Sequence, residues 1–536
     1  MKNENFDIEI LDTTLRDGAQ GEGIVFSLRD KIAVTEALDE LGVSWIEAGN
    51  PGSNPKDLEF FRRAAGLKLK NAKLCAFGST RKKNIKAEDD SQLQSLLESG
   101  AEGVVIFGKS WDLHVNEVLQ VTHEENLAMI EDTAAFLKSK GLTVIYDAEH
   151  FFDGWEANPS YALLTIEKAI SAGADRVVLC DTNGGTFPDR ITAAVKDALE
   201  RFAGTRIGIH AHNDCGLAIA NTIAAVRAGC THVQGTLAGF GERCGNTSLA
   251  SLIPSLELKM NLRCLPDGCL VRIGDLTRRI AEIANVIISD DMPYIGDHAF
   301  SHKGGMHTDG VLKTRRSFEH IDPSLVGNVR HLLMSEVGGR SAIAERVKKI
   351  KLPAGQQPIH KDHPVIITLA EKIKKLEAEG WAYEGADASF EILVRRELGL
   401  YSNFFKIEAY RVMSEHPTGE SIECSHAWVK VLVGEQYEIA AAEGVGPVGA
   451  LDGALRRALT RFFPSLAKMR LEDYKVRVID GKDATDAQVR VLIESTDGQH
   501  SWNTVGVSAD IIDASRAALV DSIEYMLIND QAAGVN

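Results

Sequence analysis

The stretch Arg206-Ile-Gly-Ile-His-Ala-His-Asn-Asp214 has the pattern of a short β-strand that ends in two histidines. Because side chains alternate across a strand, His210 and His212 are expected to point to the same face. Two imidazoles at positions i and i+2 are well placed to share a divalent metal ion. An isolated His-x-His pair is more often two ordinary surface or core histidines, so the rest of the chain must decide between these interpretations.

Short apolar, β-branched runs recur on both sides of this stretch, and segments with helical periodicity separate them. The predicted strands are residues 8–15, 44–48, 73–77, 103–107, 143–148, 176–180, 206–209 and 232–237. The predicted helices include residues 28–41, 124–140, 161–172, 191–202 and 217–228. Alternating strand–helix units of this number, in about 240 residues, predict a (β/α)8 TIM barrel. The alternative, a doubly wound open sheet, is less favoured because no G-x-G-x-x-G follows the first strand.

Polar side chains cluster at the carboxyl ends of the predicted strands, where the loops of a TIM barrel build the active face. They include Asp17 after strand one, Glu47 after strand two, Asp147 and Glu149 at the end of strand five, Asp181 after strand six and Asn246 after strand eight. A scattering of structural polar residues would not favour one end of the barrel. This bias makes the metal-site interpretation of the histidine pair the stronger one.

In a closed barrel, strand one neighbours strand eight, which neighbours strand seven. Asp17, Asn246, His210 and His212 can therefore converge from three adjacent strands. Two imidazoles, a carboxylate and an amide oxygen suit Mg²⁺, Mn²⁺ or Zn²⁺, and the absence of thiolate ligands argues against a structural zinc. Open coordination positions could accept a 2-oxo acid through its carboxylate and ketone oxygens, with the metal acting as a Lewis acid.

The composition is that of an ordinary soluble globular protein, with 44% hydrophobic and 25% charged residues. Its 536 residues predict two or three domains. The formal net charge of −17 argues against a nucleic-acid partner but allows an anionic small substrate at a local basic site. The eight cysteines show no C-x-x-C spacing, and no apolar run approaches the length of a signal or membrane segment. We therefore expect a cytoplasmic protein with no membrane partner.

The alternation of predicted strands and helices ends after the barrel, which we predict to span residues 1–265. Residues 266–385 carry helical patterns at 271–288, 341–350 and 364–380, which predicts helical linker subdomains. The histidine- and glycine-rich residues 297–312 are expected to form a functional loop. Residues 386–536 predict a duplicated β-β-β-α unit, with strands at 406–412, 427–433, 437–442, 474–478, 488–494 and 502–507 and helices at 448–462 and 509–527. Such a domain could serve dimerisation or hold an effector, and the glycine-rich residues 444–449 could present N–H groups to a carboxylate or form only a turn.

Three motifs together resemble the metal-dependent acyltransferase family of 2-isopropylmalate, homocitrate and citramalate synthases. They are LDTTLRDGAQ at 11–20, HAHND at 210–214 and GERCGN at 241–246. The closer resemblance, to the citramalate synthases, rests on NPGSNPK at 50–56, AFGST at 76–80, YDAEHFFDG at 146–154, LCDTNGG at 179–185 and FEHIDP at 318–323. The similarity covers nearly the whole chain. It implies a Claisen-type condensation of acetyl-CoA with pyruvate, in isoleucine biosynthesis, by a homodimer that isoleucine regulates.

The resemblance also implies roles for individual residues. Asp17, His210, His212 and Asn246 match the metal-binding positions of the family. Arg16 matches the arginine that stabilises charge on the keto oxygen, although Arg16 and Asp17 could form only a loop ion pair. Glu149 matches an acidic residue near the reacting carbon, although it could merely order neighbouring groups. His307 matches a histidine thought to help remove the proton of the acetyl-CoA methyl group.

We expect the substrate pocket to be lined by Arg16, Glu47, Phe77, Phe107 and Asp309. Phe77 and Phe107, at the ends of strands three and four, would crowd a branched acceptor and so favour pyruvate. Asp309 could orient His307 or be only a turn residue before Gly310. Relatives commonly carry a tyrosine where this chain has Phe318, so the missing hydroxyl must be dispensable or replaced, for example by Ser317.

Three alternative functions fit the same sequence. The acceptor could be 2-oxoisovalerate, which would make the protein a 2-isopropylmalate synthase. The same barrel and metal could catalyse a lyase or aldolase reaction, although a C-terminal effector domain favours a committed biosynthetic step. Finally, the chain could be a catalytically silent regulatory protein, which the intact ligand positions argue against.

Overall fold

The structure is a computed structural model that describes residues 6–302, 304–332, 340–350, 359–415, 424–479 and 487–532. The chain divides into two compact units. The first comprises residues 1–300 and 321–330, and the second comprises residues 301–320 and 331–536. The boundary at residue 265 expected from the sequence differs from this division, and the three-domain assignment stays a prediction.

The first unit contains a closed barrel of eight parallel strands that follow one another in chain order. They are β1 (Glu9–Asp12), β2 (Trp45–Glu47), β3 (Lys73–Ser79), β4 (Gly103–Lys109), β5 (Thr143–Glu149), β6 (Arg176–Asp181), β7 (Ile207–Ala211) and β8 (His232–Gly235). The helices are α1 (Leu28–Leu41), α2 (Pro55–Ala64), α3 (Ser91–Glu98), α4 (His123–Ser139), α5 (Phe151–Ala157), α6 (Pro159–Ser171), α7 (Pro188–Arg201), α8 (Ala218–Ala228), α9 (Leu249–Met260) and α10 (Ile273–Ile283). The predicted (β/α)8 barrel is confirmed.

Local sequence signals set the limits of the first helix. Ser27 and Asp30 form a reciprocal capping box at its start, which satisfies N–H groups that the helix leaves free. Gly42 ends α1 in the left-handed region at a φ of 90°, where a Cβ would be strained. Between these ends Leu38 and Leu41 are buried in the core between helices and sheet. The capping residues and the apolar face thus indicate the same limits for this helix.

The barrel interior is apolar at mid-height and polar at both ends. Its central cluster consists of residues from β1 to β6, with Trp45 contributing from the amino-terminal end of β2. The members are Leu11, Trp45, Cys75, Val105, Ile145, Val178 and Cys180. At the amino-terminal end, Glu9, Trp45, Arg176 and His232 are each the first residue of their strand. A Cβ on Gly103 would lie 2.8 Å from the Trp45 ring, so the large side chains at this end require glycine on β4.

Residues that follow the barrel in sequence also belong to its unit. Helix α10 buries Ile273, Leu276 and Ile280 in the same core cluster as the barrel helices. It is shorter than the predicted helix 271–288, because Ala284 ends it and Asn285 has a φ of 56°.

Among its described residues, the second unit contains two short strands and four α-helices before its C-terminal sheets. They are β9 (Ser301–His302), α11 (Gly305–Lys313), β10 (His331–Leu332), α12 (Arg340–Lys349), α13 (Pro364–Ala378) and α14 (Asp387–Glu397). Residues 297–312 were expected to form a functional loop. This prediction is wrong for the second half of the segment, because α11 forms there and buries Val311. Sequence periodicity also missed α14, whose buried residues line nearly every side of the helix.

The predicted duplicated β-β-β-α unit is present in the rest of the second unit. The first copy consists of β11 (Lys406–Glu415), β12 (Cys424–Val433), β13 (Gln436–Gly444) and α15 (Pro447–Leu459). The second consists of β14 (Arg470–Val478), β15 (Val489–Thr496), β16 (Ser501–Ser508) and α16 (Ile511–Ala532). Both sheets are antiparallel with the middle strand of each copy in the centre. In the part of the chain that the structure describes, no helix has the length and apolar character needed to span a lipid bilayer.

Candidate active site

Asp17, His210 and His212 come together at the carboxyl end of the barrel strands. Their ligand atoms all lie within 4.8 Å of one another, and all three residues are buried. Nε2 of His210 lies 3.4 Å from Nε2 of His212 and 3.4 Å from Oδ2 of Asp17. Nε2 of His212 lies 3.9 Å from the same carboxylate oxygen. Both imidazoles thus present one nitrogen to one carboxylate.

Asn246 joins this group through its amide. Its Nδ2 donates to Oδ1 of Asp17 at 3.1 Å and to the carbonyl oxygen of Phe240 at 3.1 Å. Its Oδ1 is buried and has no hydrogen-bond partner among the described residues. A Cβ on Gly241 would lie 2.2 Å from Nδ2 of Asn246, so only glycine at 241 lets the amide take this position. Two imidazoles and a carboxylate, together with an orphaned amide oxygen on a residue bonded to that carboxylate, fit a divalent cation, because such a mixed donor set is one that Mg²⁺, Mn²⁺ and Zn²⁺ accept.

The turn after β1 positions Arg16 and Asp17. Oδ1 of Asp12 accepts from the backbone N–H of Thr14 at 2.8 Å, and the N–H of Thr13 donates to the carbonyl of Gly235 on β8 at 2.8 Å. These bonds tie the turn to the end of its own strand and to β8. The predicted adjacency of strands one, seven and eight is confirmed by the pairing of β1 with β8 and of β8 with β7.

Arg16 is held on three sides. Its Nε donates to Oε2 of Glu47 at 2.5 Å and its Nη1 to Oδ2 of Asp17 at 3.1 Å. Its guanidinium lies 3.9 Å from the centre of the Phe77 ring, which is a cation–π contact. Oε1 of Glu47 is buried and has no hydrogen-bond partner among the described residues. The loop ion pair considered from the sequence is present, but it is one part of a larger buried arrangement.

A cavity of about 220 Å³ lies above these residues. Its walls include Arg16, Asp17, Phe77, Phe107, Asp147, Glu149, His210 and His212. The Phe77 and Phe107 rings are stacked, with centroids 5.2 Å apart and planes at 17°. One wall of the cavity is therefore aromatic, and the other walls carry the Arg16 guanidinium, the Asp17–His210–His212 group and the carboxyl groups of Asp147 and Glu149.

Charge and burial set the protonation states at this site. Burial alone would raise the pKa of Asp17, but the Arg16 charge and the two imidazoles outweigh it and hold the pKa well below its usual range. Burial and the neighbouring His210 lower the pKa of His212 to about 4, so its imidazole is neutral at pH 7. Burial and the charge of Glu47 raise the pKa of Asp147 to about 7. Neutral imidazole and ionised Asp17 are the forms that bind a metal ion.

The expected site residues of the second unit form their own cluster. His307 is exposed on α11, and its ring stacks on Phe318 with centroids 4.2 Å apart. Asp309 forms an ion pair with Lys313, one turn further along the helix. The hydroxyl of Ser317 donates to the carbonyl of Thr314 at 2.7 Å. The Phe318 ring, at the position where a tyrosine was expected from the family resemblance, thus lies directly against the candidate base.

Polar residues of the site that were not predicted include Gln234, Lys109 and Thr182. Gln234 on β8 lies between His210 and Asp147, Lys109 at the end of β4 pairs with Glu149, and Thr182 lines the cavity. The period of two along a strand could have found two of them. Gln234 follows His232 at the inward position of β8, and Lys109 follows Phe107 at that of β4.

Comparison with known proteins finds matches along nearly the whole chain. Residues 7–287 match the HMGL-like family, residues 294–376 the family described as homocitrate synthase post-HMGL domain-like, and residues 384–527 the LeuA allosteric (dimerisation) domain. The (R)-citramalate synthase of Aquifex aeolicus is 48% identical, over 98% of this chain and 99% of the relative. Those of Geobacter sulfurreducens and Synechocystis sp. are 45% and 46% identical, over 97% and 98% of this chain and 97% of each relative. The chain therefore belongs to the HMGL-like family, together with the (R)-citramalate synthases that match it along nearly their whole length.

Proposed function

We propose that this protein is a citramalate synthase, which condenses acetyl-CoA with pyruvate and water to give (R)-citramalate and free CoA. The observation that carries the proposal is the 220 Å³ cavity, which Arg16 and the Asp17–His210–His212 group line together with the stacked Phe77 and Phe107 rings. The full-length relatives, which are (R)-citramalate synthases, support the same reaction.

Asp17, His210, His212 and the side-chain amide oxygen of Asn246 would hold the divalent cation. A bound Mg²⁺, Mn²⁺ or Zn²⁺ supplies Lewis acidity toward the ketone of a 2-oxo acid. Arg16 stabilises the negative charge that develops on the ketone oxygen, because its guanidinium is largely buried and preorganised by Glu47. Glu47 acts through Arg16 by fixing the direction of its Nε–H bond.

Carbon–carbon bond formation requires an enolate of acetyl-CoA. We assign His307 as the base that removes a methyl proton, since histidine is the side chain best suited to proton transfer near neutral pH. The enolate carbon then attacks the ketone carbon of pyruvate, and water hydrolyses the thioester, which releases the CoA thiol. Glu149, held by Lys109 at the cavity wall, orients the acetyl group or the hydrolytic water. Asp309 forms an ion pair with Lys313 on the same helix, and its expected place in the substrate pocket stays a prediction.

A second cavity, of about 410 Å³, adjoins the first and shares the Phe107 wall with it. Ile85, Leu119, Val121 and Met129 give it apolar sides, and Lys82 and Lys83 line it as well. We assign it to the pantetheine arm of CoA, with the lysines toward the phosphates. Replacing both lysines by glutamate should raise the KM for acetyl-CoA and leave the KM for pyruvate unchanged.

The C-terminal β-β-β-α repeat is assigned a regulatory and dimerising role. The match of residues 384–527 to a domain described as allosteric and dimerising supports this assignment. Isoleucine is the expected effector, and a homodimer is the expected assembly. The cytoplasmic location stays a prediction from the sequence.

The reaction is tested by release of CoA thiol from acetyl-CoA with a panel of 2-oxo acids and added Mg²⁺, Mn²⁺ or Zn²⁺. Pyruvate should support turnover with the highest kcat/KM, and 2-oxoisovalerate should be poor because Phe77 and Phe107 crowd its branch. Higher kcat/KM with 2-oxoisovalerate would make the protein a 2-isopropylmalate synthase instead. Thiol release with none of the acids, or cleavage of citramalate derivatives alone, would overturn acyl transfer.

The acceptor assignment has its own variant. Phe107→Ala should raise the kcat/KM ratio of 2-oxoisovalerate to pyruvate by at least about 10-fold, the lower limit for a single methylene in an apolar pocket, because the substitution removes a whole ring. Val115→Ala, a buried change outside the cavity, is the matched control and should leave the ratio unaltered. An unchanged ratio in Phe107→Ala would remove this residue from the acceptor pocket.

A further inference from the structure

Gln234 bridges two buried groups in the barrel interior. Its Oε1 lies 2.9 Å from Nδ1 of His210, and its Nε2 donates to Oδ1 of Asp147 at 2.8 Å. Gln234, His210 and Asp147 are all buried. Two hydrogen bonds therefore connect the Asp147 carboxylate, through the Gln234 amide, to the His210 imidazole. Nε2 of this imidazole faces Asp17 and His212.

The Asp147 carboxylate cannot donate a hydrogen bond, and this sets the direction of both hydrogen bonds. An ionised Asp147 only accepts, so Gln234 must turn its NH₂ toward it and its carbonyl oxygen toward His210. A carbonyl oxygen also only accepts, so Nδ1 of His210 must carry the proton. In the neutral imidazole, which is the form that binds a cation, the unprotonated nitrogen is then Nε2, which faces Oδ2 of Asp17 and Nε2 of His212.

The reverse arrangement would disable the ligand. If the amide of Gln234 turned over, its NH₂ would face Nδ1, and the proton of His210 would move to Nε2. That proton would then occupy the position where a cation must approach. Ligating histidines in proteins usually have their second nitrogen fixed by an acceptor, as in the observed arrangement.

We propose that Gln234 and Asp147 are positioning residues that select the tautomer of His210 through the Gln234 amide and so keep its Nε2 free to bind the cation. This inference rests on the metal site of the proposed function. It adds two residues that act on the cation only through His210, and it assigns a role to the amide side chain inside β8.

The barrel supplies a matched control at its other end. His232, two residues before Gln234 on β8, also places Nδ1 against a carboxylate, at 2.8 Å from Oε2 of Glu9. Glu9→Gln therefore removes a carboxylate from a buried histidine of the same strand. It leaves unchanged the hydrogen-bonded relay formed by Asp147, Gln234 and His210. A general loss of barrel stability would affect both ends, whereas loss of tautomer selection affects only one.

Mn²⁺ binding to the full-length protein tests the proposal without relying on turnover. Protein freed of metal by chelation is titrated with Mn²⁺ at about pH 8, above the pKa of Asp147, and unbound Mn²⁺ is measured by electron paramagnetic resonance. Gln234→Met, which keeps the size but removes both hydrogen bonds, should weaken binding by roughly 10- to 100-fold. Asp147→Asn should weaken it as well, because its amide can donate to Gln234 and permit the reverse arrangement. Glu9→Gln should bind Mn²⁺ like the wild type.

The decisive variant exchanges the two functional groups. In Gln234→Glu/Asp147→Asn, the new carboxylate accepts from Nδ1–H of His210 and the new amide donates to that carboxylate, so the tautomer is restored with no change in net charge. Its Mn²⁺ affinity should return to within about threefold of the wild type, a small part of the effect expected for an outer partner. A folded double variant that binds no better than Asp147→Asn, or wild-type affinity in Gln234→Met, would overturn the relay. Absence of Mn²⁺ binding by the wild type would overturn the metal site, and the proposed function with it.

Discussion

The two ends of the barrel interior hold similar residue types under opposite conditions. At the amino-terminal end, Glu9 accepts from Nε1 of Trp45, from two nitrogens of Arg176 and from Nδ1 of His232. At the carboxyl-terminal end, Oε1 of Glu47, Oδ1 of Asn246 and Nδ1 of His212 are buried without hydrogen-bond partners among the described residues. At the amino-terminal end Nε2 of His232 is also without a partner among the described residues, but both oxygens of Glu9 accept hydrogen bonds. The carboxyl-terminal end instead leaves acceptor oxygens of Glu47 and Asn246 for a ligand.

The pKa values show the same difference. Burial alone would raise the pKa of Glu9, but His232 and Arg176 outweigh it, and the pKa lies well below its usual range. Burial raises the pKa of Asp147 to about 7, with Glu47 adding to the effect. The functional end of this barrel is therefore distinguished by buried acceptor oxygens without partners and by a raised carboxyl pKa, and not by the presence of histidine and carboxylate, which both ends possess.

The largest expected effect is on turnover at the carboxyl end. His212→Ala should lose the bound cation and lower kcat on the order of 10³-fold or more, since Lewis-acid stabilisation contributes several kcal/mol to the transition state. Metal content and thiol release measure the two effects. His232→Ala, the buried histidine at the opposite end, should keep its metal and most of its kcat while losing stability. A His212→Ala protein that retains both metal and turnover would remove His212 from the site.

Arg16→Ala should lower kcat by about 100-fold or more and change KM much less, because its charge acts mainly on the developing alkoxide. The same variant leaves Glu47 buried without its cation, which also costs stability. Arg16→Ala/Glu47→Gln should regain stability but not turnover. Steady-state kinetics with pyruvate, together with thermal unfolding, separate the two roles. A change confined to KM would contradict the transition-state role.

The amino-terminal end should respond in stability alone. Arg176→Met leaves the largely buried Glu9 carboxylate without its main cation and should reduce the free energy of unfolding by about 3 kcal/mol. Urea unfolding followed by tryptophan fluorescence measures this loss, since Trp45 contacts the cluster. Arg176→Met/Glu9→Gln should recover much of it. Substantial loss of kcat/KM in folded Arg176→Met would show that the two ends are coupled.

The smallest expected effect is on the pH dependence of stability, and it has opposite sign at the two ends. The lowered pKa of Glu9 gives stability that is present above its ordinary pKa of about 4.3 and lost as the pH falls further. The raised pKa of Asp147 makes the folded state bind the extra proton, so stability from this group falls as the pH rises from about 4 toward 7. In metal-free protein, Glu9→Gln should flatten the acid side of the Tm profile, and Asp147→Asn the side toward pH 7. If the two variants had the same dependence of Tm on pH, the opposite pKa shifts of Glu9 and Asp147 would be contradicted.

Much of the fold could be predicted because its signals are local. Eight apolar strands, periodic helices and glycine C-caps repeat along the first half of the chain, and α1 has the predicted bounds of residues 28–41. The duplicated C-terminal unit was visible for the same reason. Helix α14 and the helix at the histidine- and glycine-rich segment were missed, since all-round burial and internal glycines obscure helical periodicity.

Of the candidate site, the sequence by itself determined which residues stand at the carboxyl ends of strands and hence that Asp17, His210, His212 and Asn246 could meet. Strand alternation and barrel closure are enough for that, because they follow from backbone geometry. Only the tertiary structure decided which polar groups satisfy one another. Glu9 and Arg176 are 167 positions apart and Gln234 and Asp147 are 87 apart, so no local pattern links them. Hydrogen-bond direction and burial depend on such distant contacts, and they are what distinguish the ligand-binding end of this barrel from its structural end.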